Sequence, residues 1–579
     1  MNDIRRTILW VIFGFTMVLL WDQWQIFNGN KATFFPSPAP PVTSTAPASK
    51  PANVSGVPLD KAGSSAVPAP VSGSGSAAGA AAAAGALPAT TPSTTKERLV
   101  VKTDVLMLTF DTEGGTLLGS AFTQHKDMTD RTTGFVLLDE SAARVYVAQS
   151  GLIAGGAGGS FPTHKTPMAA VPGERTLKDG QDSLEVRFES VEVGGVKLVK
   201  TYTIKRGAYD MVVRHDVINT GTNPVSPQLY LQLVRDGNKP PGESSFYMTF
   251  TGPAIYTEAK KYQKVDFSDI EKNKVDVEKQ ASNGYVAMVQ HYFASAWMLA
   301  DGVQRDIFLR KVDTNLYAVG MITALDSVAP GATKSVSAKL FVGPQEEKVL
   351  EALAPGLELV KDYGWLTILA KPLYWLLDKL HGFIHNWGWS IVALVVLLKA
   401  AFYWLNAKAY ASMAKMKAIN PKIMEMRERL KDKPQEMQQA MMKMYRDEKV
   451  NPMGGCFPIL IQIPVFIALY WVLLSSVEMR NAPWILWIRD LSSPDPYYIL
   501  PLVMAATTML QTALNPTPPD PLQAKLMWYM PLIFSVMFFF FPAGLVLYWI
   551  TNNVLSIAQQ WVINTRMGVP PQFNLPKFR

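Results

Sequence analysis

Lys399 stands inside the apolar run SIVALVVLLKAAFYWLNAK, residues 390–408, where residues 387–405 are long enough to cross a bilayer as one helix. A lysine near the bilayer centre costs roughly 2.5 to 3.5 kcal/mol on insertion scales, so either its ammonium escapes to water or the protein uses it there. At ~1.5 Å rise per residue it lies about 9 Å from Leu405, which leaves snorkelling along its own stem open. Further polar side chains interrupt apolar runs downstream: Gln462, Gln511, Asn552 and Asn553, followed by Gln559 and Gln560. Amides facing lipid are expensive, so these groups either bond one another as glue between helices or line a hydrated cavity. No Asp or Glu falls inside the apolar segments after residue 386, and proton or sodium coupling usually employs carboxylates there.

Signals for covalent chemistry are missing. The chain has no GxxxxGK[ST], HExxH or GxSxG pattern, and GLIAGGAGGS has glycines without the Lys-Ser/Thr that would hold phosphates. Its single cysteine, Cys456, excludes an internal disulfide and a Cys-based zinc site. His125, His164, His215 and His291 lack ligand spacing and read as structural or surface residues. The chain is therefore read as a non-enzyme, with no cofactor and no metal.

The elements that must position the polar residues emerge from the pattern along all 579 residues. Residues 1–28 place Arg5 and Arg6 ahead of an apolar core without a small-residue cleavage site, which reads as an uncleaved transmembrane anchor. Residues 29–96, rich in Pro, Ala, Ser, Thr and Gly, cannot bury enough apolar surface to offset ordering and form a flexible linker. Residues 97–350 switch to short Val-, Thr- and Tyr-rich runs broken by Gly, Asp and Asn, predicting a large antiparallel β-sandwich. Residues 357–386 alternate leucines at helical spacing with Lys371, Asp378 and Lys379, predicting an amphipathic helix in the membrane interface.

Five apolar segments follow, at 387–405, 456–476, 497–514, 526–541 and 543–563, making six spans with the anchor. The net charge of +8 is carried beside these spans and no basic run is interleaved with aromatics, so nucleic-acid binding is not indicated. Residues 406–455 hold eleven Lys and Arg against two, Arg480 and Arg489, in the loop 477–496. That asymmetry predicts a cytoplasmic insert, cytoplasmic termini including the tail 566–579, and an external β domain. The topology brings Lys399, Gln462, Gln511, Asn552 and Asn553 into the cytoplasmic half of the bilayer. The insert 406–455, divided by Lys433-Pro434, reads as a helical hairpin with the stripe Met437, Met441, Met444 and Tyr445. Those thioethers suit varied apolar partners, or they zip the two helices together.

The stretches YASMAKMKAINPKIMEMRERL, EKVNPMGGCFPILIQIPVFIALYWVL, APWILWIRDLSSPDPYYILP and FPAGLVLYWITNN closely resemble the YidC/Oxa/Alb family of membrane protein insertases. The β domain and anchor resemble that family's Gram-negative form. The resemblance implies a polytopic α-helical membrane protein with six spans, a five-helix insertase core at 387–565 and a large periplasmic all-β supersandwich domain. It implies an insertase and foldase of the inner membrane that moves hydrophobic segments of nascent proteins from the cytoplasm into lipid without ATP, alone or with the Sec translocon. It also implies as partners the accessory subunits of that translocon, the ribosome, the signal recognition targeting machinery and membrane lipids.

In that family a cation in the second span lies in a hydrophilic groove. The matching position is Lys399, where relatives usually carry arginine, so a compact ammonium replaces a planar fork that grips carboxylates bidentately. The groove would hold Lys399, Gln462, Gln511, Asn552 and Asn553. The resemblance places a substrate slide along 456–476 and 526–541, with Cys456, Pro458, Phe466, Phe534 and Phe538, joined by Tyr548 and Trp549 of the last span. The rival readings are a channel or anion transporter built on the same polar cluster, and a periplasmic enzyme or sugar-binding module on a membrane anchor.

Overall fold

A computed structural model of the chain describes residues 97–128, 130–155, 159–240, 249–430, 433–448, 457–515, 521–568 and 573. The expected anchor 1–28, the linker 29–96, Cys456 and most of the tail 566–579 lie outside the described residues. The chain divides into two compact units, Met1–Lys61 with Thr517–Met530, and Ala62–Pro516 with Pro531–Arg579. Of the first, only residues 521–530 are described, and they are helical.

Two nine-stranded antiparallel sheets fill the amino-terminal half of the larger unit, counted among the described residues. Strands at or next to the sheet edges alternate as a half-buried sheet requires. Arg98–Lys102 and Ser183–Ser190 bury every second residue, whereas Phe293–Leu299 is buried throughout because both of its faces are covered. In the first sheet Pro227–Asp236 lies between Val145–Ala154 and Leu316–Ala324, so the centre is assembled from segments distant in sequence. The inner faces meet across an apolar core that contains Phe110, Phe188, Tyr202 and Trp297. Polar cross-links pin the two sheets: Tyr146 Oη donates to Met288 O at 3.0 Å, and Trp297 Nε1 to Gln232 O at 3.1 Å. This is the expected β-sandwich.

The helical half begins with a short helix, α1 (Glu347–Leu353). Within 357–386, two 3-10 turns, Leu357–Val360 and Gly364–Leu366, come first, and the helix α2 (Thr367–Ile384) starts only at Thr367. Then follow α3 (Trp387–Ala401), α4 (Tyr403–Arg429), α5 (Pro434–Asp447), α6 (Phe457–Ser475), α7 (Ile499–Leu514), α8 (Pro521–Met537) and α9 (Ala543–Arg566). α2 buries Ala370, Tyr374 and Leu377, one helical face, against α6 and α3. α9 is the central strut. Residues 543–548 are buried throughout, and its first amides donate to loop carbonyls, Ala543 N to Ser493 O at 2.8 Å and Gly544 N to Leu491 O at 2.9 Å.

One expectation fails. Residues 387–405 do not form a single helix: the chain breaks at Phe402, and α3 meets the first part of α4 at 68°. No Gly or Pro lies near the break, the one glycine of the run, Gly388, being in the first turn of α3. The break is tertiary in origin, because α4 turns to pack on α9 and α6 and buries Ala409 and Ala414 there. The hairpin's first helix therefore starts at Tyr403. Among the described residues no single helix is long and apolar enough to cross a membrane; the bent pair Trp387–Ala401 with Tyr403–Met416 is, by length and composition. Gln462–Ser475, Ile499–Leu514 and Ala524–Phe540 are shorter apolar helices.

Candidate functional site

Lys399 occupies the last turn of α3, which Asn386 caps at its start by accepting from Trp389 N at 3.1 Å. A cation at this end suits the carboxyl-terminal pole of the helix. Because the chain bends three residues later, Phe402, Leu405 and Asn406 fold back beside Lys399. Together with Val395, Leu398, Gln462, Val465, Tyr548 and Asn552 they line a cavity holding about 430 Å³ of empty space, its open mouth included. Lys399 Nζ donates to Ser556 Oγ at 2.7 Å, and Ser556 Oγ donates to Asn552 O at 2.7 Å. Gln462 Nε2 donates to Asn552 Oδ1 at 2.9 Å. Among the described residues no carboxylate pairs with Lys399, and its ammonium bonds there to the neutral Ser556 hydroxyl.

The structure thus brings together Lys399, Gln462 and Asn552. Asn553, one residue on, faces away: its Nδ2 donates to Thr508 Oγ1 at 2.9 Å and Thr507 Oγ1 at 3.3 Å, joining α9 to α7. Gln511 is also absent from the cavity lining, as are Gln559 and Gln560, which reach Tyr403 O and Leu514 O. Those contacts are interhelical glue. Ser556 escaped the sequence reading, although Asn552, Ser556 and Gln560 recur every four residues on one face of α9, a signal that was present.

Above the polar groups sits an aromatic cluster. Phe466 packs on Tyr548 and Trp549 at centroid distances of 5.6 and 4.6 Å, and Phe538 on Trp549 at 4.8 Å. Phe538 and Tyr548 are each only 4% exposed, so they pack inside the helical core, Tyr548 on the cavity wall, and do not face outward. Phe534, in contrast, is exposed in a patch with Leu532, Ile533 and Val536 on α8. Pro458 lies in the first turn of α6, and its side chain is outside the described set. On the hairpin, Met441, Met444 and Tyr445 pack against Ile419 and Ile423 of α4, with Met416 beside them. Most of the stripe therefore zips α4 to α5. Met437 is half-buried outside that cluster, and Met424 and Met442 are exposed.

The helical core is held to the β domain by a buried polar seam. Lys361, fully buried, lies 3.3 Å from Glu478 and 3.8 Å from the Tyr374 ring. Arg480 stacks on Phe135 and Phe293 at 4.9 and 5.1 Å. His291 Nε2 sits 2.9 Å from Leu474 O at the end of α6, and burial pushes that imidazole down to about 4. His125, against the same aromatic group, is likewise lowered to about 4 by burial and then by the Arg480 charge.

Comparison with known proteins bears on both halves. A family profile described as the YidC periplasmic domain matches residues 98–376, and one described as 60Kd inner membrane protein matches 379–569. The chain is 56% identical over 98% of its length to a protein of Cupriavidus taiwanensis, and 54% identical over 98% to one of Ralstonia nicotianae; each is called membrane protein insertase YidC and is itself 98% covered. A solved structure described as an active YidC insertase with its first transmembrane domain resolved aligns over 80% of this chain and 91% of its own, at 20% identity and a TM-score of 0.37.

Proposed function

The chain belongs to the YidC family of membrane protein insertases of the inner membrane, with a large all-β periplasmic domain, and on that premise we propose that the Lys399 cavity receives the polar flank of an incoming hydrophobic segment. What carries this reading is an ammonium that, among the described residues, bonds only to the neutral Ser556 hydroxyl, beside the Gln462–Asn552 pair. A hydrated pocket shortens the hydrocarbon path for the flank, and the unpaired charge attracts its acidic residues. The apolar part of the substrate then partitions along the exposed faces of α6 and α8, with Ile463, Ile533 and Phe534, driven by about 25 cal/mol per Å² buried. No nucleotide is required.

In this reading α3, α6, α7, α8 and α9 cross the membrane and, with the residue 1–28 anchor, make six spans with cytoplasmic termini. The hairpin α4–α5 meets the ribosome and targeting machinery, and the protein acts alone or beside the Sec translocon. The test is growth complementation and insertion of an acidic-flanked substrate in insertase-depleted cells carrying Lys399→Arg, Lys399→Ala or Lys399→Gln. Arginine retains insertion, and the neutral variants lose about tenfold, equivalent to about 1.4 kcal/mol. Normal insertion by all three removes the cation from the mechanism.

A further inference from the structure

The loop between α6 and α7 is tightly built yet turns two large apolar side chains outward. Its base is closed by Leu491 N donating to Ala482 O at 3.1 Å, and Ala482, Ile488 and Leu491 are buried in the helical core. Its tip is closed by Trp484 N to Ile488 O at 3.0 Å and Ile488 N to Ile485 O at 3.1 Å. Asn386 Nδ2 fastens the tip to the start of α3, donating to Trp484 O at 3.2 Å. At that tip Leu486 is 79% exposed and holds φ at 52°, a left-handed conformation that a leucine rarely adopts and that Gly or Asn takes readily. Ile485 beside it is exposed as well. In a loop washed only by water, burial would not reward leucine at such a position.

The surroundings identify what covers it. Trp484 packs edge-on to Trp389 of α3 at 5.6 Å, and Trp487 to Tyr497 at 6.2 Å, so an aromatic pair stands on each side of the tip. Trp487 Nε1 donates to Asp495 at 2.9 Å, and the same carboxylate caps Leu500 N at 2.7 Å near the start of α7. Rings with an apolar body and a polar edge gather where acyl chains meet headgroups. The apolar surface continues from the tip through exposed Tyr497, Tyr498 and Ile499 to Leu502 and Val503 on α7. Arg489, exposed four residues beyond the tip at Ile485, is placed for a lipid phosphate.

We infer that Ile485 and Leu486 form a rigid knuckle that dips into phospholipid acyl chains at the end of the bundle where α3 and α7 begin and α6 ends. The inference rests on the reading that those helices span the bilayer. Its consequence is a fixed point in one leaflet, beside the seam through which Glu478 and Arg480 hold the β domain.

The experiment uses the full chain with Cys456→Ser, reconstituted into phosphatidylethanolamine–phosphatidylglycerol vesicles carrying nitroxide lipids. A bimane is attached in turn at Leu486→Cys, Ile485→Cys, Leu502→Cys and Asp301→Cys. Nitroxide on a shallow acyl carbon quenches the probes at 486 and 485 several-fold more than the probe at 301, and iodide reaches only 301. A probe at 502, in the first turn of α7, is quenched by nitroxide lipid and shielded from iodide. Probes at 486 and 485 that behave like 301, while 502 is quenched by nitroxide lipid and shielded from iodide, overturn the knuckle alone. If 502 also behaves like 301, the spanning reading fails and the knuckle with it.

Discussion

Lys399 and Asn553 show how far a residue's role follows from its type and depth. Both were expected in one polar half of the helical core, yet Lys399 lines the cavity and Asn553 bonds to Thr508 of α7. Adjacent residues on an α-helix point about 100° apart, so the pair Asn552-Asn553 cannot serve one cavity together, and which member faces it depends on a rotation of α9 that only packing determines. Asn553→Ala should lower the thermal stability of the purified protein by about 1 kcal/mol while leaving insertion per folded molecule unchanged. Asn552→Ala should do the reverse, lowering insertion with a smaller stability loss, because its amide faces the cavity and its partner Gln462 stays accessible to water. Equal effects of the two variants on insertion would show that the cavity boundary is misdrawn.

At the scale of elements, apolar runs placed the helices within a few residues, since α6, α7 and α9 start or end close to where hydropathy puts them. The break at Phe402 was not legible, because no Gly or Pro marks it and its cause is the packing of α4 on α9. That bend is what adds Leu405 and Asn406 to the cavity lining. A second hidden constraint is Gly388, where an added Cβ would come within 2.3 Å of the Trp484 ring. Gly388→Ala should cost about 1 to 3 kcal/mol, read as a lower melting temperature in detergent. In the hairpin, Ile423→Ser removes the apolar contact for Met441, Met444 and Tyr445 and buries a hydroxyl. Trypsin should then cut at Lys422 and Arg429 faster than in the parent, with no change in the melting of the β domain.

For the whole molecule, two halves with different textures were legible as a β-sandwich and a helical core, because alternation of period two and long apolar runs are distinct patterns. The seam between them was not, since no sequence pattern pairs Lys361 with Glu478 or His291 with the end of α6 across more than a hundred residues. The β domain also buries His164 and His215, whose imidazoles burial pushes down to about 3, with the neighbouring Lys200 charge acting in the same direction. Each group has a folded pKa below its unfolded value near 6.5, so the unfolded chain binds more protons and stability is lost as pH falls from 6.5 toward 3. By pH 4 each should cost about 3 kcal/mol, so near-UV circular dichroism of the full chain should show the β domain melting at markedly lower temperature at pH 4 than at pH 7. A flat profile would mean that these imidazoles are charged in the folded state.

The central claim is that the polar flank of a substrate enters beside Lys399. The most direct measurement places a photo-crosslinking residue at Val465, at Thr507 and at Asp301, and presents a ribosome-stalled nascent chain with an acidic flank. The account predicts crosslinks from Val465, which lines the cavity, that fall sharply when Lys399→Gln is introduced, and none from Thr507 or Asp301. Crosslinks from Thr507 or Asp301 with none from Val465, or a Val465 signal indifferent to Lys399→Gln, would contradict it.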